Sequence, residues 1–154
     1  MSTSFQLQNN ALKELPHNIE AEQGILGAIL LNNEIFFDIS ETINVEHFYE
    51  PVHKLIFDVI GKMISKGQIA TPITLKSFFE VEKNLEEIGG SNYLVRLANS
   101  AVSLDYAKNY AHIIYNLAVR RGLYELGGKV QHDAIESEIE KKPEDLIELS
   151  LIHI

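Results

Sequence analysis

Four groupings of residues have types that could do chemistry, and each fails on its spacing or its setting. Gly122-Leu-Tyr-Glu-Leu-Gly127-Gly128-Lys129-Val130 approaches the phosphate-cradling pattern G-x-x-x-x-G-K-[ST]. Its lysine stands one place late, and Val130 replaces the hydroxyl that would hold magnesium. The segment also reads as helix, where such a cradle needs a strand-to-helix loop. Glu14-x-x-His17 and Glu50-x-x-His53 have the spacing of bridged metal sites in helical bundles. Those sites need both side chains inside one helix and facing the core, and Pro16 and Pro51 interrupt the two pairs. For nucleophilic catalysis there is no Cys and no Gly-x-Ser-x-Gly, and the six His have no evident Ser or Asp companions. His112 reads as a surface or interface residue. A zinc site would need His-Glu-x-x-His or thiolates, and the chain has neither. The expectation is therefore no catalytic residue, no cofactor-binding residue and no metal ligand.

The balance of charge narrows the classes further. The chain of 154 residues has 22 Asp+Glu against 13 Lys+Arg, a formal charge of −9. Only Arg96, Arg120 and Arg121 are arginines, and no Lys or Arg occurs from Glu14 to His53. Phosphate backbones are gripped by basic patches, so autonomous nucleic-acid binding is not expected. A chain of this length is one domain, with or without an appendage, and needs no disulfide. The longest apolar run, Ile25–Leu31, is far too short to span a bilayer. The polar start, Met1–Asn10, has neither the basic nor the apolar part of a signal peptide. A reducing, cytoplasmic setting without membrane is expected.

The elements that would position any site are all helical. Residues 1–15 read as a disordered tail. Ile19–Leu31 reads as a helix capped by Asn18, with Glu20 and Glu22 in the first turn. Its second half is apolar on every side and must be buried. Ala21, Gly24 and Ala28 form a small-residue strip for close packing of another helix. Nothing before Ile19 resembles a strand, so Gly24 and Gly27 are packing residues and not a phosphate cradle. Glu34–Ile43 forms a short helix with Ile35, Phe36, Ile39 and Ile43 on one side, and Val45–Phe48 adds one turn. Pro51–Lys66 is the clearest element: Val52, Leu55, Ile56, Val59, Ile60, Met63 and Ile64 recur at helical spacing, between Pro51 at its start and Gly67 past its end. Thr71-Pro72 opens a helix to about Lys83 with Leu75, Phe78 and Phe79 inward. Gly89-Gly90 breaks the chain, and Ser91 caps a helix burying Leu94, Leu97, Ala98 and Ala101.

From Ser103 the pattern changes. Tyr106, Tyr110, Ile113, Leu117, Arg120 and Tyr124 make a seam of coiled-coil spacing. Val119, Leu123, Leu126 and Val130 make a second stripe on another side, so this helix wants two partners. Gly122, Gly127 and Gly128 predict a kink or fraying, at about 1 kcal/mol each against Ala. Glu136–Lys142 reads as a charged loop, and Pro143 starts a last helix over 144–154. That helix is too short to stand alone. Its abrupt apolar end, Leu151–Ile154, suggests a cut within or just beyond a helix, or residues added in cloning. No segment has a strand's alternation, so the fold class is all-α.

Four blocks in order carry a family resemblance. Pro16-His-Asn-Ile-Glu-Ala-Glu-Gln-Gly-Ile-Leu-Gly-Ala-Ile-Leu-Leu31 resembles the opening signature of the N-terminal domain of bacterial replicative DNA helicases, the DnaB family. Phe48-Tyr-Glu-Pro-Val-His-Lys-Leu-Ile-Phe57 is similar to its second block. Gly67-Gln with Leu85-Glu-Glu-Ile-Gly-Gly-Ser-Asn-Tyr-Leu94 is similar to the third. Asn109-Tyr-Ala-His-Ile-Ile114, with Arg120-Arg121, is similar to the fourth.

The resemblance covers roughly residues 15–136. It implies a compact helical head (16–102) followed by a helical hairpin (103–154), truncated here, that pairs between subunits. It also implies a collar on a hexameric ring, which recruits the primase and helps regulate loading through a helicase loader. ATP and magnesium would belong to a separate C-terminal motor domain, and DNA would be met only through the full ring. The chain by itself would then be no enzyme, within a parent that is an ATP-dependent DNA helicase. Carried over by position, the pairing surface would use Tyr106, Tyr110, Ile113, Ile114, Leu117, Arg121 and Tyr124, with Leu146 and Leu149 from the return helix. A single-stranded-DNA-binding helical module is the alternative. It is disfavoured because the tyrosines at 106, 110, 115 and 124 have only Lys108, Arg120 and Arg121 near them, and stacking platforms need basic neighbours.

Overall fold

A computed structural model describes residues 14–82, 86, 89–136 and 142–152, the last four by backbone alone. The tail expected over 1–15 thus lies outside the described residues up to position 13, as do 137–141 of the expected charged loop and the terminal 153–154. The regular elements among the described residues are all helical, with no strand among them. The elements are α1 (Ile19–Leu31), α2 (Ile35–Ser40), a single 3-10 turn (Val45–His47), α3 (Pro51–Ser65), α4 (Pro72–Glu82), α5 (Asn92–Asn99), α6 (Leu104–Glu136) and α7 (Pro143–Ile152). His17–Ala118 forms one compact unit, the head. Residues 14–16, 119–136 and 142–152 belong to the other.

Helix α1 is the axis of the head. Asn18 caps it by accepting the Ala21 N–H at 2.9 Å. From Gly24 to Leu30 every residue is buried, as a helix without a polar side requires. Its nearest neighbour is α5, and the contact is made at Gly27, outside the small-residue strip read from the sequence. A Cβ at Gly27 would lie 2.0 Å from the Leu97 carbonyl oxygen and 2.9 Å from the Ala101 nitrogen. Gly24 has a different neighbour: its missing Cβ makes room for the Tyr110 ring, 3.1 Å away.

Helix α3 follows its pattern. Pro51 occupies the first turn, and Gly67 leaves the helix at φ +73°. Ile56, Phe57, Val59 and Ile60 are buried, while Met63 and Ile64 pack at the edge of the core. The loop between α3 and α4 is tied down by Asn33 just after α1. Its Nδ2 donates to the carbonyls of Ile29 (2.8 Å) and Ala70 (2.7 Å), and its Oδ1 accepts the Ala70 N–H at 2.7 Å. One side chain therefore satisfies both backbone groups of a fully buried alanine.

Several expectations need correction. Helix α2 is shorter than the stretch 34–43, because Thr42 and Ile43 turn back onto the Ile39 carbonyl. Ser91 makes no side-chain cap to α5, since its backbone is already helical (φ −62°). Phe78 is 45% exposed, and only Leu75 and Phe79 of its group enter the core. Helix α6 neither breaks nor frays at Gly122, Gly127 and Gly128: it is helical without interruption from Leu104 to Glu136. Propensity is a weak term, and the helix-length hydrogen-bond ladder outweighs a few glycines.

Two predictions follow from this packing. Ile29, Ile56 and Ile60 are each fully buried, so truncating any one to Ala should cost about 2–5 kcal/mol in a denaturant titration. Losses below about 0.5 kcal/mol at all three would contradict the assigned core, since even Ile→Val exceeds that. Gly→Ala should change sign with position. Gly127 faces open space, and Gly127→Ala should stabilise by about 0.5–1 kcal/mol. Gly27→Ala should destabilise by about 1–3 kcal/mol or more, because a methyl group would be driven into backbone.

Candidate functional site

In the head unit, α6 turns its small side chains inward. Ala107, Ala111 and Ile114 are buried against the core, and Tyr110 rests on it. Tyr106 (62% exposed), Ile113 and Tyr115 point outward. Two polar contacts hold this part of α6 to the head: Lys108 Nζ lies 3.3 Å from the Asp38 carboxylate, and the Tyr115 ring meets the His47 ring edge-on. His47 is itself fixed, because its Nδ1 accepts the Asn44 N–H at 2.9 Å.

In the second unit, α6 returns as α7. Leu126, Val130 and Ala134 of α6 and Pro143, Leu146 and Ile147 of α7 line an apolar hollow of about 340 Å³, with Asp133 beside them. Val119, Leu123, Tyr124 (60% exposed), Val130 and Ile135 remain open. No Cβ contact is found at Gly122, Gly127 or Gly128, so nothing within the described chain requires glycine there. Arg121 Nη1 donates to the Pro16 carbonyl at 2.8 Å.

The nine residues carried over to a pairing surface therefore fall into groups. Tyr106, Ile113 and Tyr124 are open to solvent. Leu117 and Arg121 are half-buried, the latter bonded to Pro16. Leu146 lines the hollow between the two helices. Ile114 is 2% exposed and Tyr110 packs beneath it, so these two belong to the head's own core. The side chain of Leu149 lies outside the described residues. The helix was read as having two apolar stripes, but its inward stripe, Ala107-Ala111-Ile114, escaped the sequence reading because alanine is a faint hydrophobic signal.

A second constellation was missed altogether. His53 is fully buried between Glu22 of α1 and Tyr93 of α5. Its Nδ1 is 2.6 Å from Glu22 Oε2, and its Nε2 is 2.6 Å from the Tyr93 hydroxyl. Glu22 also accepts the backbone N–H groups of Tyr49 and Glu50 just before α3. Carboxylate, imidazole and hydroxyl are ordered as in a nucleophilic triad. Yet Tyr93 is only 8% exposed and Glu22 1%, so no substrate can approach. The group ties three helices together instead. Among the described residues no cluster of His, Asp or Glu could hold a metal ion. The spacing did contain a hint: His53 lies three, four and seven residues before Ile56, Phe57 and Ile60, on the core stripe of α3.

These helices define an all-α domain, a head whose last helix continues into a hairpin. The chain belongs to the family described as the DnaB-like helicase N terminal domain, which matches residues 14–116. It is 42% identical over 134 residues to the replicative DNA helicase DnaB of Rickettsia felis, covering 87% of this chain and 27% of that protein. It is 35% identical over 123 residues to that of Buchnera aphidicola, covering 80% and 27% respectively. The N-terminal domain of DnaB helicase from Mycobacterium tuberculosis superposes with a TM-score of 0.82 at 26% identity, over 92% of this chain and 98% of that one. A DnaB-like replicative helicase, solved in a study of its interactions with primase, superposes with a TM-score of 0.69 at 25% identity, over 89% and 31%. The chain thus spans 27% of the length of these curated relatives.

The network has a measurable signature at alkaline pH. Burial pushes the Tyr93 phenol above its ordinary value of 10.0, against a smaller opposing effect of the Gln23 hydrogen bond. The unfolded chain therefore loses this proton first. The stabilisation is complete below about pH 10 and is lost as pH rises through the higher folded value. Tyr93→Phe should cost about 1–3 kcal/mol at neutral pH, since His53 loses a buried partner. Denaturant midpoints of the two proteins should then converge above pH 10. Parallel curves would show that Tyr93 ionises alike in both states.

Proposed function

We propose that this chain is the oligomerisation and partner-docking domain of a replicative DNA helicase, working in DNA replication in the cytoplasm. It would pair with a second copy through α6 and α7 and build the collar of a hexameric ring. It would also recruit the primase and give a helicase loader a surface. It would use no cofactor of its own; ATP and magnesium would act in a separate motor domain, through which the ring meets DNA. The observation that carries this reading is the outer seam of α6, where Tyr106, Ile113 and Tyr124 are exposed on a helix whose inner face the head already uses. Exposed apolar stripes of this extent mark interfaces. The open Cβ positions of Gly122, Gly127 and Gly128 leave room for a partner helix to come close. Primase as the partner is supported by the solved relative described with it.

Sedimentation equilibrium tests the pairing. The chain should associate reversibly with concentration, more weakly than within a ring that raises effective concentration. Ile113→Asp or Leu117→Asp would bury an unpaired charge in the seam. Each should give a monomer with its helical circular dichroism retained. A wild-type chain that stays monomeric at all accessible concentrations would sink the proposal, as would an unchanged association in both variants.

A further inference from the structure

The buried triad has a fourth member, and its donors and acceptors run in one direction. Glu22 uses both carboxylate oxygens as acceptors, from two backbone N–H groups and from His53 Nδ1. An ionised carboxylate has no proton to give, so Nδ1 must carry the hydrogen. His53 Nε2 of the neutral ring is then an acceptor, and the Tyr93 hydroxyl donates to it. The Tyr93 oxygen is left to accept, and Gln23 Nε2 stands 3.4 Å from it. The chain runs Gln23 to Tyr93 to His53 to Glu22, from the half-buried surface of α1 to a fully enclosed imidazole. With its amide nitrogen on Tyr93, Gln23 has its amide oxygen turned away from the hydroxyl.

We propose that these four side chains form a reversible proton relay, in which uptake of one proton at His53 Nε2 reverses the Tyr93 hydroxyl and turns the Gln23 amide over. Gln23 is the half-buried member at the surface, and Tyr93, 8% exposed, stands next to it, so the proton enters from the Gln23 side. A solvent proton joins the Tyr93 oxygen as the hydroxyl's own hydrogen passes to Nε2. The product is an imidazolium held by Glu22, with Tyr93 still a neutral phenol. Its O–H now needs an acceptor on the Gln23 side, and the Gln23 Oε1 supplies one after the amide flips. On the side turned away from the hydroxyl, Gln23 thereby exchanges a hydrogen-bond acceptor for a donor without changing charge.

The surroundings suit two states. From α1 the imidazole faces Glu22. From the turn before α3 come the Tyr49 and Glu50 N–H groups, with the Glu50 carboxylate acting on Tyr93 and the His17 ring stacked on Tyr49. From α5 come Tyr93 and Arg96, whose guanidinium lies 5.1 Å from the Tyr93 ring centre. Glu22 compensates the imidazolium, and the Arg96 guanidinium over the Tyr93 ring favours the ionised side of the hydroxyl against the Glu50 and Glu22 charges. The relay rests on the head alone and is independent of pairing through α6.

Nitrogen-15 NMR of the whole chain over a descending pH series tests it. His53 is identified by its contacts to the Tyr93 ring. Near neutral pH it should carry its single proton on Nδ1. As Nε2 takes up a proton, the Gln23 side-chain amide signals should shift with the same midpoint. Tyr93→Phe should leave His53 titrating while the Gln23 response is lost. The relay is overturned by an Nε2–H tautomer or a doubly protonated ring near neutral pH. Gln23 signals indifferent to His53 in the wild type, or shifting equally in Tyr93→Phe, overturn it too. So does unfolding of the head before His53 takes up its proton.

Discussion

A helix with no polar side has to be enclosed, and in this chain that helix is α1. From Gly24 to Leu30 it meets protein in every direction, so its neighbours must sit around it. Their closeness is set by backbone: at Gly27 the Leu97 carbonyl occupies the space of a side chain. Close packing of this kind gains dispersion contacts that no looser arrangement supplies. It also leaves one difficulty, because the first turn of the same helix contains Glu22. A buried carboxylate is costly unless it is fully bonded. His53 and the backbone at 49–50 satisfy it, and Tyr93 completes His53 in turn. The polar network is thus a consequence of enclosing α1, and it fixes where α3 and α5 must lie.

Helix α6 solves the opposite problem. In the head it needs only a narrow contact, and Ala107 and Ala111 keep it close to the core without a wide apolar belt. Its large side chains are then free to face outward. A helix that used tyrosines and leucines on both sides would have to be buried on both sides by one small head. Ala107, Ala111 and Ile114 face inward with Tyr110 against the core, while Tyr106, Ile113 and Tyr115 stay on the side that the head does not cover. In the hairpin unit, α7 covers part of the apolar surface and leaves Leu123 and Tyr124 open.

Membership of the DnaB-like N-terminal family and the fold agree with each other through independent residues. The blocks that carry the resemblance contain Glu22, Gly27, His53 and Tyr93, each of which has a packing or bonding task in the head. Replacing any of them would leave a void, a clash or an orphaned polar atom in the head.

Periodicity alone determined helices α1 and α3, because the apolar stripe of α3 and the fully apolar run of α1 follow from spacing, and because Pro51 and Gly67 act through backbone conformation that neighbours do not alter. The absence of strands among the described residues and the surplus of apolar surface on α6 were legible for the same local reason. What only the tertiary structure decided were relations between residues distant in sequence. Phe78 and Phe79 look alike in a helix pattern, yet only Phe79 reaches the core. Gly24, Gly27 and Gly127 are one residue type; a tyrosine ring stands over the first, a backbone carbonyl against the second, and open space beside the third. Glu22 and His53 are 31 positions apart, and Tyr93 lies 40 further on. Hydrogen bonding has direction and short range, so its partners are chosen by the packing of whole helices, which no local pattern encodes.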